Sequence, residues 1–311
     1  MMSLREGGAT ARVAVLRLTT RTRQLPAGRK GVLIVGIGVL VLSPDALLIR
    51  LMTVDEGTLL LFRGAFSLLG YLVLLQILLG GVARRGTWAL SGPELAIGCL
   101  MAIANVFFVT SILHANAALA LVIIASAPAF TTVLTRAFGG ETVAARTWIA
   151  SWVVLAGVAA IFATEPQGGE LVGALAAVGA AITLAATLVV RRSHPVRMLP
   201  ALALGALLTA LVAIPFATPG SMSESDLAIA ALGGLIVLPV SLELIWRGPR
   251  YISAPEVSLL LLMEAILGPA WIWLALGDPP TVQAVLAGAL ILGTLATHAL
   301  LVQRALPANE G

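Results

Sequence analysis

The chain has 311 residues, of which 59% are hydrophobic and only 11% charged, against roughly 25% charged residues in a soluble domain. With a mean hydropathy of +1.03, this excludes a disordered chain, a collagen and an ordinary soluble enzyme domain; the single cysteine, Cys99, excludes a disulfide scaffold. The net charge of +4 reads as a mark of membrane topology rather than of nucleic-acid binding, because basic residues on membrane proteins gather on the cytoplasmic side.

A basic arm comes first. Residues 1–30 carry Arg5, Arg12, Arg17, Arg21, Arg23, Arg29 and Lys30 against one acid, Glu6. It reads as a tail that fixes topology; attraction to anionic lipid and a transit-peptide-like segment are the other readings. A helix then needs about 20 apolar residues to cross a hydrocarbon core of roughly 30 Å. Ten such runs follow, at 31–52, 58–79, 95–113, 118–137, 148–164, 171–190, 199–216, 227–246, 257–276 and 281–301, and residues 302–311 form a short tail. The first run is too long for a secretory signal and carries Asp45 and Arg50. The runs are about twice the length of a barrel strand and lack alternation. The expected fold class is therefore an all-α integral membrane protein with ten transmembrane helices.

Charge orients the spans. With a cytoplasmic N-terminus, the inward segments hold the arm, Arg84, Arg85, Arg136, Arg146, Arg191, Arg192, Arg197, Arg247, Arg250 and Arg304. The outward loops hold Asp55, Glu56, Glu165, Glu170, Glu224, Asp226 and Asp278 and no basic residue. Both termini are thus expected in the cytoplasm of an inner or plasma membrane. A shift of 137 positions lays His114-Ala115-Asn116-Ala117 on Tyr251-Ile252-Ser253-Ala254, and Gly139-Gly140-Glu141 on Leu276-Gly277-Asp278. The match is of pattern rather than of letters. It divides the chain into five-helix halves, 31–164 and 171–301, which an odd span number sets upside down to each other, as in many secondary transporters.

Several residues carry a family resemblance: Phe62-Arg63-Gly64, the stretch from Asn105 to Ala117, Ser126-Ala127-Pro128 before Gly140-Glu141, and Tyr251-Ile252-Ser253-Ala254-Pro255 before Glu264. The chain resembles the drug/metabolite transporter superfamily, in the ten-helix group whose repeat is the EamA domain, over residues 31–301. Ala265 stands where the family has a proline after the glutamate, and Asp278 where its second repeat has Gly-Glu. The resemblance implies movement of small metabolites such as amino acids, with export favoured, by alternating access. It also implies a central cavity lined mainly by spans 1, 3, 4, 6, 8 and 9, with spans 5 and 10 as peripheral supports.

Charged groups at a membrane helix centre cost at least about 2.5–3.5 kcal/mol, so the few present are informative. Asp45 follows Pro44, whose missing N–H disturbs the helix ladder, and Arg63 lies at similar depth in span 2; an Asp45–Arg63 pair offsets both burial costs. Such a pair is either permanent or engages substrate. Glu264, mid-span 9, has no basic partner at helical spacing on its own helix and is the leading candidate for proton exchange; a single interhelical hydrogen bond is the other reading. Glu243 stands four residues before Arg247, a spacing that permits an intrahelical pair. Asn105 reads as interhelical glue or a substrate contact. Phe107, Phe108, Trp271 and Trp273 are candidates for a cavity wall or an interfacial belt, the deeper Trp271 for the wall; Trp246 reads as a belt residue and Arg50 as a snorkelling group. His114 is expected to face water and Cys99 to be a small buried apolar residue. Pro44, Pro128, Pro239 and Pro269 are candidate hinges, Pro269 replacing the missing proline after Glu264.

There is no His-Glu-x-x-His, no Gly-x-Ser-x-Gly, no Walker loop and no paired Cys-x-x-Cys. No enzyme activity, cofactor, metal or nucleic-acid partner is expected. The expected partners are a small-molecule substrate, protons and membrane lipid. An uptake carrier for a vitamin, purine or osmolyte is the alternative within the family, and an intramembrane enzyme or lipid-handling protein the alternative outside it.

Overall fold

The computed structural model describes residues 27–79, 89–138, 144–163, 169–252, 257 and 260–305. Most of the basic arm, Arg84, Arg85, Glu141, Glu165 and Ser253 to Pro255 lie outside the described residues. Among the described residues there is no strand. The helices are α1 (Ala27–Leu42), α2 (Asp45–Leu51), α3 (Glu56–Leu79), α4 (Gly92–His114), α5 (Ala117–Ile124), α6 (Ala127–Phe138), α7 (Ala145–Ala163), α8 (Gly169–Ser193) and α9 (Met198–Ala213). After these come α10 (Glu224–Ala231), a π-helical turn (Leu232–Val237), α11 (Leu238–Arg247), α12 (Glu264–Leu276) and α13 (Val282–Ala305). Among the described residues seven apolar stretches of helix are long enough to cross a membrane: Gly28–Leu51, Glu56–Leu78, Gly92–His114, Ala117–Phe138, Gly169–Ser193, Met198–Phe216 and Glu224–Arg247. Shorter apolar helices run over Thr147–Ala160, Glu264–Leu276 and Val282–His298.

Local chemistry explains where the helices start, break and stop. Ser91 and Ser223 each stand three residues before an acid, Glu94 and Asp226, in the Ser-x-x-acid pattern of a capping box. The Ser91 amide donates to Glu94 Oε2 at 2.8 Å, and Ser223 Oγ accepts the Asp226 amide at 3.1 Å. Asn116 caps α5 by accepting the amides of Ala118 and Leu119. The run 31–52 divides at Ser43–Pro44 and the run 118–137 at Ala125–Ser126, just before Pro128. Near Pro239 the helix widens instead: Leu238 N donates to Gly233 O, one residue further back than in an α-helix. That register accommodates a proline ring that would otherwise meet the carbonyl of residue i−4. At the end of α12, Gly277 takes φ +69°, the left-handed region where a side chain is disfavoured, and Pro279-Pro280 prevent continuation.

Contacts between helix termini, Arg197 with Glu94 and Asp226 with Thr53, mark two ends of the bundle. Lys30, Arg136, Arg191, Arg192, Arg197, Arg247 and Arg250 lie at one; Asp55, Glu56, Glu170, Glu224, Asp226 and Asp278 lie at the other. The outer face carries large apolar side chains such as Val73, Trp152, Leu274 and Val282, all more than half exposed. This is the inverse of a soluble surface and suits a multi-pass membrane protein.

The best-shielded packing lies inside the ring of helices. α5 is buried along Ala117–Ile123 and packs with Ile49, Leu59, Val109, Ile112, Val154, Ile272 and Ile291. α4 lies against α8 and α9, α3 against α9 and the π turn, α1 against α11, and α7 against α13. The α3–α9 crossing is close because a Cβ on Gly64 would stand 2.7 Å from Ala210 N and 2.8 Å from Ala206 O, backbone atoms that cannot swing aside. Gly64→Ala is therefore expected to lower stability by about 1–3 kcal/mol, outweighing the better helix propensity of alanine. Gly36→Ala on α1, where nothing lies within 4 Å, is expected to be neutral or stabilising. Thermal unfolding of the two purified variants checks the contrast.

Candidate functional site

α3 presents Arg63, Ser67 and Tyr71 along one stripe at i, i+4 and i+8. All three line a central cavity of about 190 Å³ together with Asp45, Asn105, Phe108, Thr209 and Glu264. Apolar side chains complete the wall, among them Leu42, Met101, Ile124, Leu184 and Leu238. The two acids reach it by the same local device. Asp45 opens α2 just after the Ser43–Pro44 break, and Glu264 opens α12 just after a break at Leu262–Met263. A broken helix is tolerated at membrane depth where it lines protein or a wet cavity.

The polar groups form a chain. Arg63 donates from both terminal nitrogens to the two Asp45 oxygens, each at 2.7 Å, and from Nε to Asn105 Oδ1 at 3.0 Å. The side chains of Arg63 and Asp45 are only 5% and 3% exposed. Asn105 Nδ2 points to Thr209 Oγ1 at 3.5 Å, and the guanidinium lies 5.9 Å from the centre of the Phe108 ring. The expected Asp45–Arg63 pair is thus formed, bidentate, and extended through Asn105 across α4 to α9. Ser67 Oγ, in contrast, is buried with no hydrogen-bond partner among the described residues, and no hydrogen bond or ion pair engages Glu264 there.

Other expectations fall elsewhere. Glu243 is not in the cavity wall; it accepts from Arg247 Nε at 2.6 Å in the intrahelical pair its spacing permits. Trp271 is 43% exposed and outside the wall, donating from Nε1 to Ser43 Oγ at 2.9 Å. It therefore supports the α1–α2 break rather than a cavity. Trp246 is buried, not part of a belt: Arg191 covers its ring at 4.6 Å and donates to its carbonyl. Arg50 turns inward to the Ala115 carbonyl at the end of α4, where helix carbonyls need donors, instead of snorkelling. His114 is exposed as expected and pairs with Glu56. Cys99 is exposed on the outer face of α4 rather than buried. Phe107 packs on Gly179 of α8. Of the hinges, Pro44 and Pro128 sit at breaks and Pro239 at the π turn; Pro269 lies inside an unbroken α12, since the interruption falls ahead of Glu264. Runs 1, 3, 4, 6, 8 and 9 all reach the wall, and runs 2 and 7 join them; among the described residues, runs 5 and 10 contribute none. Ser67 and Tyr71 were missed, although their helical spacing from Arg63 is a signal present in the sequence.

Contacts at both ends of the bundle flank the cavity. At the basic end, Glu94 Oε1 accepts from the Arg197 amide at 3.1 Å and from Arg197 Nε at 2.7 Å, and Oε2 accepts from Nη2 at 2.8 Å. At the acidic end, Asp226 accepts from the Thr53 amide at 3.0 Å and the Thr53 hydroxyl at 3.1 Å. Beside it, Asp55 accepts from the hydroxyls of Thr218 and Thr58, which hold its carboxyl down at about 2. This carboxylate stays charged across the physiological range.

No protein-family model matches the sequence and no curated protein does. A solved structure, described simply as the crystal structure of a protein, matches with a TM-score of 0.61 at 20% sequence identity, over 89% of this chain and 98% of the matched one. At that identity the likeness speaks for a shared helical fold alone.

Proposed function

We propose that this chain is a secondary transporter that moves small amphipathic metabolites across an inner or plasma membrane by alternating access. In this reading it has ten spans in two inverted five-helix halves, 31–164 and 171–301, with both termini in the cytoplasm, and belongs to the drug/metabolite transporter superfamily that it resembles. The resemblance favours export.

The observation that carries the reading is the polar cavity at the junction of the two halves, with matched ties at its two ends. Each tie joins the capping acid at the start of one helix to the segment that precedes a helix of the other half: Glu94 to Arg197 at the basic end, Asp226 to Thr53 at the acidic end. The helix breaks also repeat, since Leu262–Met263 stands 137 positions after Ala125–Ser126, the shift that aligns the halves. Packing follows the same relation. The second span lies on the seventh, the fifth on the tenth and the fourth on the ninth, and the third–sixth contact has its counterpart in the eighth–first. Two similar halves with one shared site are an arrangement through which many transporters alternate access. The basic end is the cytoplasmic one by charge.

Glu264 is the group that would couple transport to protons, being a carboxyl on the cavity wall without a counter-charge of its own. Counterflow of labelled metabolites in sealed vesicles tests the reading: a transporter exchanges label, whereas an enzyme consumes it. Glu264→Gln is expected to abolish the response of exchange to an imposed pH gradient while leaving a folded protein. An unchanged response would remove Glu264 from coupling.

A further inference from the structure

The charges in the cavity are unequal, and that inequality names a ligand class. Among the described residues three charged side chains line it: Asp45, Glu264 and Arg63. Tyr71 is the other titratable group on the wall. Arg63 is the one cation among the described lining residues, and its two terminal nitrogens are engaged by Asp45 while Nε is engaged by Asn105. A substrate carboxylate entering here would meet no uncommitted cation and would lie among two acids. Glu264 faces the same space with no partner among the described residues. Ser67 Oγ supplies a second, independent sign: a hydroxyl on a residue only 3% exposed, lining the cavity and bonded to nothing described. Buried hydroxyls are normally bonded, so this one is placed to accept from or donate to a bound molecule. Asn105 is bonded to Arg63 and to Thr209, the remaining described lining is apolar, and about 190 Å³ falls short of the roughly 300–1,000 Å³ of pockets for drug-sized ligands.

We infer that this cavity binds small amines: a protonated nitrogen held against Glu264, hydrogen-bonding help from Ser67, and a short apolar body against Met101, Ile124 and Leu184, with free carboxylates disfavoured. The inference rests on the reading of the cavity as the transport site and narrows it away from amino acids, whose carboxylate has no partner here. Selectivity comes as much from what repels the wrong ligand as from what attracts the right one.

Three probes of nearly the same shape separate the charge requirements: 3-methylbutylamine, 4-methylpentanoate and leucine, which carries both groups. Each is titrated into the purified full-length chain in detergent while thermal unfolding is followed, because a ligand of the native state raises the unfolding temperature. The amine is expected to raise it and the other two are not. Glu264→Gln is expected to weaken amine binding by about 10- to 100-fold, the cost of losing a charge-assisted hydrogen bond. Ser67→Ala, a change that leaves every charge in place, is expected to weaken it by a smaller factor. Stabilisation by 4-methylpentanoate or leucine equal to that of the amine overturns the assignment, as does no response to the amine. A carboxylate that both stabilises the protein and shows counterflow overturns the assignment while the transport reading stands. If 3-methylbutylguanidine, which stays charged at working pH and keeps N–H donors, binds but shows no counterflow in sealed vesicles, the ligand assignment stands and the transport reading falls.

Discussion

Replacing Arg63 with methionine while Asp45 stays in place is expected to destabilise the fold by about 3–5 kcal/mol, the cost of stranding one member of a buried ion pair. Asp45 receives both of its 2.7 Å hydrogen bonds from this guanidinium, and with its side chain only 3% exposed it has little contact with solvent to replace them. Asn105 loses its Nε donor as well. The double variant Asp45→Leu, Arg63→Met removes both charges and fills the space with apolar groups of similar volume. A buried pair exchanged in this way is often neutral or stabilising, so its unfolding temperature is expected to return to near the wild-type value. The two variants also divide structure from function. A folded double variant is expected to show no counterflow, because the pair and the Asn105 link form one wall of the cavity. If it exchanged label at the wild-type rate, the pair would be structural support alone. If Arg63→Met melted with the wild type, the carboxylate would have to find a partner that the present geometry does not provide.

Much of this arrangement is legible in the sequence, and the reason is the same wherever it is. The membrane makes polar groups scarce, so each one stands out. Asp45 and Arg63 could be paired by depth alone, Pro44 marks a break because it lacks an N–H, and Glu264 stands out as an acid with no basic neighbour on its helix. Among the described residues, seven of the apolar runs form helices long enough to cross a membrane and three shorter ones follow the remaining runs, because backbone hydrogen bonds must close within each segment in lipid. What the sequence hides is rotation about each helix axis. The lipid-facing side of a membrane helix is as apolar as the side facing its neighbours, so the amphipathic stripe that orients a soluble helix is absent. That is why Cys99 is found outside, Trp246 inside and Trp271 beside Ser43 rather than in the cavity. The break before Glu264 is hidden for a second reason. It carries no proline, and Pro269, the visible candidate, sits in continuous helix.

The two end ties make opposite predictions, which is their value as a test of alternating access. Glu94→Gln weakens the charge-assisted bonds that hold Arg197 and keeps the shape of the side chain. Asp226→Asn does the same to the bonds from Thr53. Hydrogen bonds to a charged group contribute about 1.5–3 kcal/mol, so loss of one tie is expected to shift the balance of open forms by roughly 10- to 100-fold toward opening at its own end. The readout is a cysteine introduced at Ala104 on the cavity wall, in a background where exposed Cys99 is changed to alanine, and labelled by an impermeant thiol reagent from one side of the membrane at a time. Glu94→Gln is expected to speed labelling from the side of the basic end, and Asp226→Asn from the other side. Each acid also belongs to the cap of its own helix, and loss of a cap alone would lower thermal stability without favouring either side. Faster labelling from the same side in both variants, or no change in either, would leave the ties as caps and remove them from any gating role.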